Sequence, residues 1–280
     1  MVHLDVNGVR FSYGSKKVLD NVSFSITNGE IVGIIGQNGS GKTTLLNCIN
    51  SEYRPKHGSV VIRDFSPDVL ESREKQNYSA DVQDLSNAER SRIIATVEQS
   101  SFMSFPFSVM ETVRMGRYSH TGMFDDGDEE EIAKICEVMK STGILKFADR
   151  PVNELSGGEW RRVMIAQALA QEPEILLLDE PTLHLDINHQ FELMDLLKKI
   201  VSERNILIVI VTHDLPLAAR YCDKIIIMKD GKIVDAGSAK DTVTTANIEN
   251  IFHMRAKIGY DQDIEGIGVF LIGKIDVDHS

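Results

Sequence analysis

Gly36, Gly41, Lys42 and Thr43 fall in the segment GQNGSGKTT, which satisfies the spacing GxxxxGK[ST] between an apolar run, EIVGII, and a helical one, TLLNCI. Glycines at those places permit a compact turn whose backbone N–H groups converge on phosphate oxygens. Lys42 can reach terminal phosphates, Thr43 can offer its hydroxyl to Mg²⁺, and the helix starting there adds its positive end. Asp179 and Glu180 close the apolar run ILLL, and His213 follows ILIVIVT. Strands ending at those residues would carry them to the sheet edge where phosphate-loop proteins bind ligand. Asp179 then reads as the Mg²⁺-side carboxylate, acting through water, and Glu180 as the group that orients or deprotonates an attacking water. His213 is placed to contact the γ-phosphate and that water. Taken singly, each feature has a plainer reading: a structural turn, a solvated acid pair, a packed histidine. Their combination favours nucleotide chemistry.

A second glycine turn, LSGGE at 155–159, precedes another helical pattern. Ser156 and Glu159 fit a capping box, which explains the serine and the glutamate but not Gly157 and Gly158, since glycine costs entropy and helps no helix. Exposed backbone N–H groups and a serine hydroxyl could instead meet an anion. No short link brings this turn onto the phosphate held by Lys42. A second copy of the chain, related by a two-fold axis, could present it there.

These residues need a scaffold of strands and helices. Residues 1–27 hold short alternating segments, VHLDVNGVRFSY and NVSFSI, that read as strands joined by turns. SVVI, ILLL, ILIVIV and KIIIM complete a buried set of strands, and Trp160–Ala170 and His189–Ile200 are helical patterns among them. Residues 63–91 are polar and read as a surface excursion before Arg92–Thr96. Residues 102–148 read as mainly helical, interrupted by TGMFDDGDEEE, whose acidic run 125–131 reads as solvated surface. Beyond 231 the segments shorten into a small mixed appendage, with no internal repeat or heptad array.

The chain has 280 residues, 42% hydrophobic and 26% charged, so it can bury a sizeable core. No apolar run approaches the roughly 18 residues of a membrane helix, and the first residues lack a signal-segment pattern, so a cytoplasmic address is expected. A formal charge of −12 argues against a broad nucleic-acid footprint. Cys48, Cys136 and Cys222 make no CxxC pattern and read as reduced thiols without a metal.

The motifs together resemble the nucleotide-binding subunit of an ABC transporter. GQNGSGKTT resembles Walker A, LSGGE the family signature, ILLLDE Walker B, VTHD the switch-histidine segment, and Gln99 in ATVEQS the Q-loop glutamine; Tyr13 in FSYG matches the aromatic that stacks on adenine. The resemblance covers nearly residues 1–240. It implies an α/β fold: a P-loop ABC ATPase core with an N-terminal antiparallel β portion, a helical insertion around 100–150 and a small C-terminal appendage, with 241–280 as an extension packed on the core. It also implies ATP and Mg²⁺, with ATP sandwiched between two head-to-tail subunits. Tyr13, Gly36, Asn38, Gly39, Ser40, Gly41, Lys42, Thr43, Thr44, Ser156, Gly157, Gly158 and Asp186 would hold ATP, with Ser156 and Gly158 contacting the ATP held mainly by the opposite chain. Thr43, Gln99 and Asp179 would hold the metal, and Glu180, His213, Gln99 and Lys42 would carry catalysis.

FPFSVMETVRMGRYSH and PTLHLDINHQ further resemble importers of iron–siderophore complexes, haem or cobalamin, which pair two ATPases with two transmembrane permease subunits and an external binding protein. Phe102, Met103, Phe105 and Phe107, close after Gln99, would then receive a short helix of the permease, with ordinary core packing as the alternative, and the protein would sit on the cytoplasmic face of the membrane. Leu183 stands where this subgroup commonly has a small hydroxyl residue, and Trp160 where a polar residue is commoner. A soluble ABC ATPase of cofactor assembly and a nucleotide-gated interaction module are the alternatives. A DNA-repair ATPase would need long coiled coils, which the sequence lacks.

Overall fold

The computed structural model describes residues 1–65, 79–99, 106–121, 129–262 and 266–275. The first half of the chain contains β1 (His3–Tyr13), β2 (Lys16–Thr27), β3 (Ile31–Gly36), α1 (Lys42–Ile49), β4 (His57–Arg63), β5 (Ser79–Asp81), α2 (Asn87–Ile93) and β6 (Ile94–Val97). A helical stretch follows, with α3 (Val109–Arg114), the single turn α4 (Tyr118–Thr121), α5 (Glu129–Ser141) and α6 (Gly157–Ala170). The chain then returns to alternating elements: β7 (Ile175–Asp179), α7 (Ile187–Arg204), β8 (Leu207–Thr212), α8 (Leu215–Tyr221), β9 (Lys224–Lys229) and β10 (Lys232–Ser238). Short helical turns lead to a final hairpin, β11 (Met254–Asp261) and β12 (Gly266–Lys274).

Two sheets carry the fold. The larger runs β10-β9-β3-β8-β7-β6 and is parallel except for β10. Its central strands are apolar on both faces: in β8, Ile208 and Ile210 pack into the layer that holds α6 and α7, while Val209 and Val211 pack toward β1, β4 and α1. The smaller sheet, β2-β1-β4-β5, is antiparallel and covers that second face. SVVI, read as part of the buried set, belongs to this smaller sheet as β4, because only alternate residues, Val60 and Ile62, are buried. The edge strand β6 follows α2 directly and overlaps Arg92–Thr96, just past the polar excursion, which itself holds β5 and most of α2.

Caps decide where the helices start. α6 begins at Gly157, ahead of the apolar periodicity, because Ser156 and Glu159 form the expected capping box. α7 begins at Ile187 because Asp186 accepts from the backbone N–H of His189 at 3.0 Å. The inserted helices are pinned to α6 by Arg117, 3% exposed, which donates to the Ala170 carbonyl at 2.8 Å and pairs with Glu131 and Glu172. Glu131 therefore serves this buried ion pair, while Glu129 and Glu130 are exposed in the first turn of α5, where acidic side chains complement the helix dipole. The rest of the acidic run, 125–128, lies outside the described residues, as does 66–78 of the polar excursion. All three cysteines are reduced, and burial pushes the Cys48 and Cys222 thiols up to about 12. Among the described residues, no helix is long and apolar enough to cross a membrane.

Candidate functional site

β3, β7, β8 and β9 all point their carboxyl ends at one edge of the parallel sheet, and the titratable residues collect there. Gly36 ends β3 where no side chain fits, since a Cβ would lie 2.2 Å from the Met228 carbonyl oxygen. The loop then turns through left-handed glycines, Gly39 (φ 81) and Gly41 (φ 101), before α1 begins. Lys42 is 6% exposed, and its Nζ folds back to donate to the carbonyls of Gly36 at 2.8 Å and Gln37 at 3.1 Å. Burial holds this ammonium below the usual lysine range, opposed by the carboxylates of Glu180 and Asp179.

Glu180 follows β7 with φ 48, a left-handed backbone unusual for a glutamate, and its N–H donates to the Val211 carbonyl of β8 at 2.9 Å. Backbone of that kind collects at functional sites where surrounding structure fixes it. Oε2 of Glu180 lies 2.9 Å from Nδ1 of His213, just past β8. A carboxylate accepts, so Nδ1 carries the hydrogen of this contact. Asp179 bonds Thr43, but burial, the largest effect, pushes its carboxyl above the usual range. Its Oδ1 and the Oγ of Ser40 are buried without a hydrogen-bond partner. Two buried carboxylates against one ammonium leave excess negative charge, and an orphaned carboxylate oxygen beside a bonded threonine hydroxyl fits a hard divalent cation. Among the described residues, no group of three or more His, Cys, Asp or Glu makes a metal centre alone, so such an ion would take further ligands from phosphate or water.

These groups open onto a cleft of about 840 Å³ lined by Tyr13, Gly36, Asn38, Gly39, Gly41, Lys42, Thr43, Thr44, Gln99, Glu180 and His213, with Ser40 and Asp179 buried in the same loop and strand end. Tyr13 is 49% exposed, and its ring is braced edge-on by Phe11 at 5.0 Å and Tyr53 at 5.6 Å. Lys16, Lys17, Gln37, Leu183, Asp230 and Phe252 also line the cleft. Of these, the lysine pair beside Tyr13 was the signal available in the sequence; Phe252 had none.

Ser156, Gly157, Gly158 and Asp186 do not line this cleft. They form a separate surface with their own internal contacts: Asp186 Oδ2 is 2.7 Å from His189 Nδ1, and a Cβ on Gly158 would meet the His189 ring at 3.1 Å. Gly158 thus has a packing reason inside its own chain, whereas a Cβ on Gly157 would meet nothing nearer than Leu185 at 4.0 Å. Arg161, one turn into α6, joins the two regions by donating to the carbonyls of Glu98 at 2.9 Å and Gln99 at 3.1 Å. Sequence reading missed this link, because it joins segments far apart in the chain. Phe107 is exposed, whereas Phe102, Met103 and Phe105 lie outside the described residues.

Fold and cleft together define a phosphate-loop nucleotide-binding protein. Residues 19–183 match the family model described as ABC transporter, and the chain belongs to that family. It is 40% identical over 258 residues to the cobalamin import ATP-binding protein BtuD of Halobacterium salinarum, covering 92% of this chain and 61% of that one, so it spans about three-fifths of that relative's length. It is 37% identical to an uncharacterized ABC transporter ATP-binding protein of Methanocaldococcus jannaschii, over 95% of this chain and 96% of that one. It is also 37% identical to the ferric enterobactin transport ATP-binding protein FepC of Escherichia coli, over 88% and 85%. Among solved structures, an inward-facing ABC transporter described as of metal-chelate type superposes with a TM-score of 0.79 over 99% of both chains at 24% identity, a likeness of fold. A dimeric bacterial ABC transporter cassette gives 0.67 at 32% identity, over 84% and 98%.

Proposed function

We propose that this chain is the ATP-hydrolysing subunit of an ABC importer for an iron–siderophore, haem or cobalamin. The observation that carries the reading is the buried Lys42, the Glu180–His213 pair at 2.9 Å and the glycine loop on one cleft. When ATP enters, the Lys42 ammonium leaves the Gly36 and Gln37 carbonyls for the terminal phosphates. Glu180, oriented by the His213 N–H, takes the proton of the attacking water, and Nε2 of His213 faces the same reaction. Asp179, Thr43 and Gln99 would hold Mg²⁺, which would neutralise charge on the transferring phosphoryl group. The chain works as a head-to-tail homodimer with Ser156–Gly158 and Asp186 completing the partner's ATP site, bound to two permease subunits on the cytoplasmic face of the membrane and served by an external binding protein. The names of the cobalamin and ferric enterobactin relatives support the substrate class.

The metal assignment has a stability signature. Asp179 binds its proton more tightly in the folded chain than in the unfolded one. Stability therefore falls as pH rises from the ordinary carboxyl value through the raised one, and the deficit is complete above that raised value. Asp179→Asn is expected to raise the melting temperature of the nucleotide-free protein near pH 7.5 and to lose that advantage at acid pH. With Mg²⁺ and ATP the order reverses, because the parent chain gains more ligand stabilisation than the variant. Thermal melts with and without Mg²⁺·ATP check it; an Asn variant stabilised by Mg²⁺·ATP as strongly as the parent removes Asp179 from the metal site.

Coupling to a permease is tested by Phe105→Ser with Phe107→Ser. Phe107 is 38% exposed just before α3, as a partner contact requires. Loss of a buried aromatic anchor costs about 2 kcal/mol or more, so permease affinity and reconstituted transport should fall at least tenfold while basal hydrolysis persists. Copurification identifies the permease, and normal transport by the folded double variant would remove the coupling assignment.

A further inference from the structure

Phe252 lines the nucleotide cleft although it lies in the C-terminal appendage, beyond the parallel sheet and its one antiparallel strand. It ends a π-helical turn, Ile248–Phe252, whose Ile248 and Ile251 are each 1% exposed and anchor it in the main core. His253 follows with a left-handed backbone (φ 53) and donates its N–H to the Glu249 carbonyl, which closes the turn. Asn247, immediately before the turn, donates to Asp235 at 2.7 Å and to the Thr242 carbonyl at 2.8 Å. Turns of this kind recur at functional sites.

The turn is also bonded to the phosphate loop itself. Gln37 Nε2 donates to the Ile251 carbonyl at 2.7 Å, and Lys229 Nζ, at the end of β9, donates to the Asn250 carbonyl at 3.1 Å. Gln37, Asn38 and Gly39 are otherwise exposed, so this bond ties down the part of the loop that lacks packing. On its other side, the hairpin that continues from the turn packs β12 against α8, the helix that starts two residues after His213. The appendage thus touches the loop that would hold phosphate and the helix behind the switch histidine.

We propose that the 248–252 turn is a fixed wall of the ATP site: Phe252 contacts bound nucleotide, and the Gln37–Ile251 bond holds the phosphate loop in its binding geometry. The inference rests on the ATP-binding reading above and adds a nucleotide contact from outside the family motifs. A preorganised loop loses less entropy when ligand binds, and an aromatic wall supplies contact area and excludes water.

The test is ATP affinity by calorimetry in EDTA, where Mg²⁺-dependent hydrolysis does not run, for full-length parent, Lys42→Ala, Phe252→Ala, Phe252→Leu and Phe252→Tyr. Phe252→Ala is expected to weaken ATP binding about tenfold, equivalent to about 1.4 kcal/mol, and Phe252→Tyr to restore it. Phe252→Leu keeps apolar volume in the core, so it should melt like the parent and still bind ATP several-fold more weakly. That split separates a nucleotide contact from packing alone, and it carries the test if the alanine variant does not fold. Parent-like affinity in Phe252→Leu together with parent-like affinity in any folded Phe252→Ala overturns the wall. If Lys42→Ala loses ATP while Phe252→Ala and Phe252→Leu keep it, only this inference fails. Absence of ATP binding in the parent chain overturns both readings.

Discussion

Glu180→Gln is expected to slow ATP hydrolysis by roughly 10²–10⁴-fold, the scale of a lost general base, while ATP affinity stays near that of the parent. Glu180 is 8% exposed and already oriented by His213 at 2.9 Å. Glutamine has the same shape, can accept the His213 N–H through its carbonyl oxygen, and suits the left-handed backbone no worse than glutamate. What it cannot do is take a proton from water. The substitution also removes one of the two carboxylates that crowd Lys42, so the loop's attraction for phosphate is undiminished. Binding and chemistry should therefore separate: the variant fills with ATP, closes, and accumulates as an ATP-bound dimer, because the step that releases the closed state is blocked. Equilibrium affinity and single-turnover hydrolysis have to be measured independently. A rate within tenfold of the parent at normal affinity would give the proton to another acceptor.

The residues of that cleft were legible because each motif is local. The glycine loop carries its own strand and helix, and ILLL and ILIVIVT end at the residues they present. Both-face burial marks parallel strands as continuous apolar runs, which the sequence displays without alignment. Sheet membership was harder. SVVI is as apolar as its neighbours in β3, yet only one of its faces is covered, and pairing with β1 rather than β3 is a tertiary fact. The capping box at Ser156 marked the start of α6 in the sequence, whereas α7 starts ahead of its apolar periodicity because Asp186 caps it. Arg161 and Phe252 were out of reach for a different reason. The Gln99 carbonyl that Arg161 meets and the cleft that Phe252 lines, whose phosphate loop bonds the adjacent Ile251 carbonyl, lie far along the chain, and nothing in their own neighbourhoods encodes the meeting. Gly158 carried two constraints at once, a close approach to His189 and a candidate role at a second surface.

That double constraint decides how the second surface is best tested. Gly158→Asp would mix two effects, because its Cβ meets the His189 ring at 3.1 Å. Gly157 separates them: its nearest neighbour would be Leu185 at 4.0 Å, and it is the first residue of α6, where an acidic side chain is favoured by the helix dipole. Gly157→Asp should therefore leave the melting temperature and first-site ATP affinity near parental values. If this turn meets the phosphates of ATP held by a second chain, a carboxylate there faces like charge at a cost of several kcal/mol, and ATP-driven dimerisation and turnover should fall at least about 10²-fold. Mixing supplies the direction of the contact. Gly157→Asp has an intact Lys42, and Lys42→Ala has an intact Gly157, so a mixed dimer assembles one site from two sound halves opposite one from two damaged halves. ATP-dependent association should return in the mixture though neither homodimer forms, as sedimentation of differently labelled chains would show. A turn serving its own chain's nucleotide makes the opposite demand: no pairing of these variants could then place Lys42 and Gly157 together, and the mixture would stay monomeric. Closure of Gly157→Asp homodimers at parental ATP concentrations would return the glycine pair to the role of a well-capped helix start.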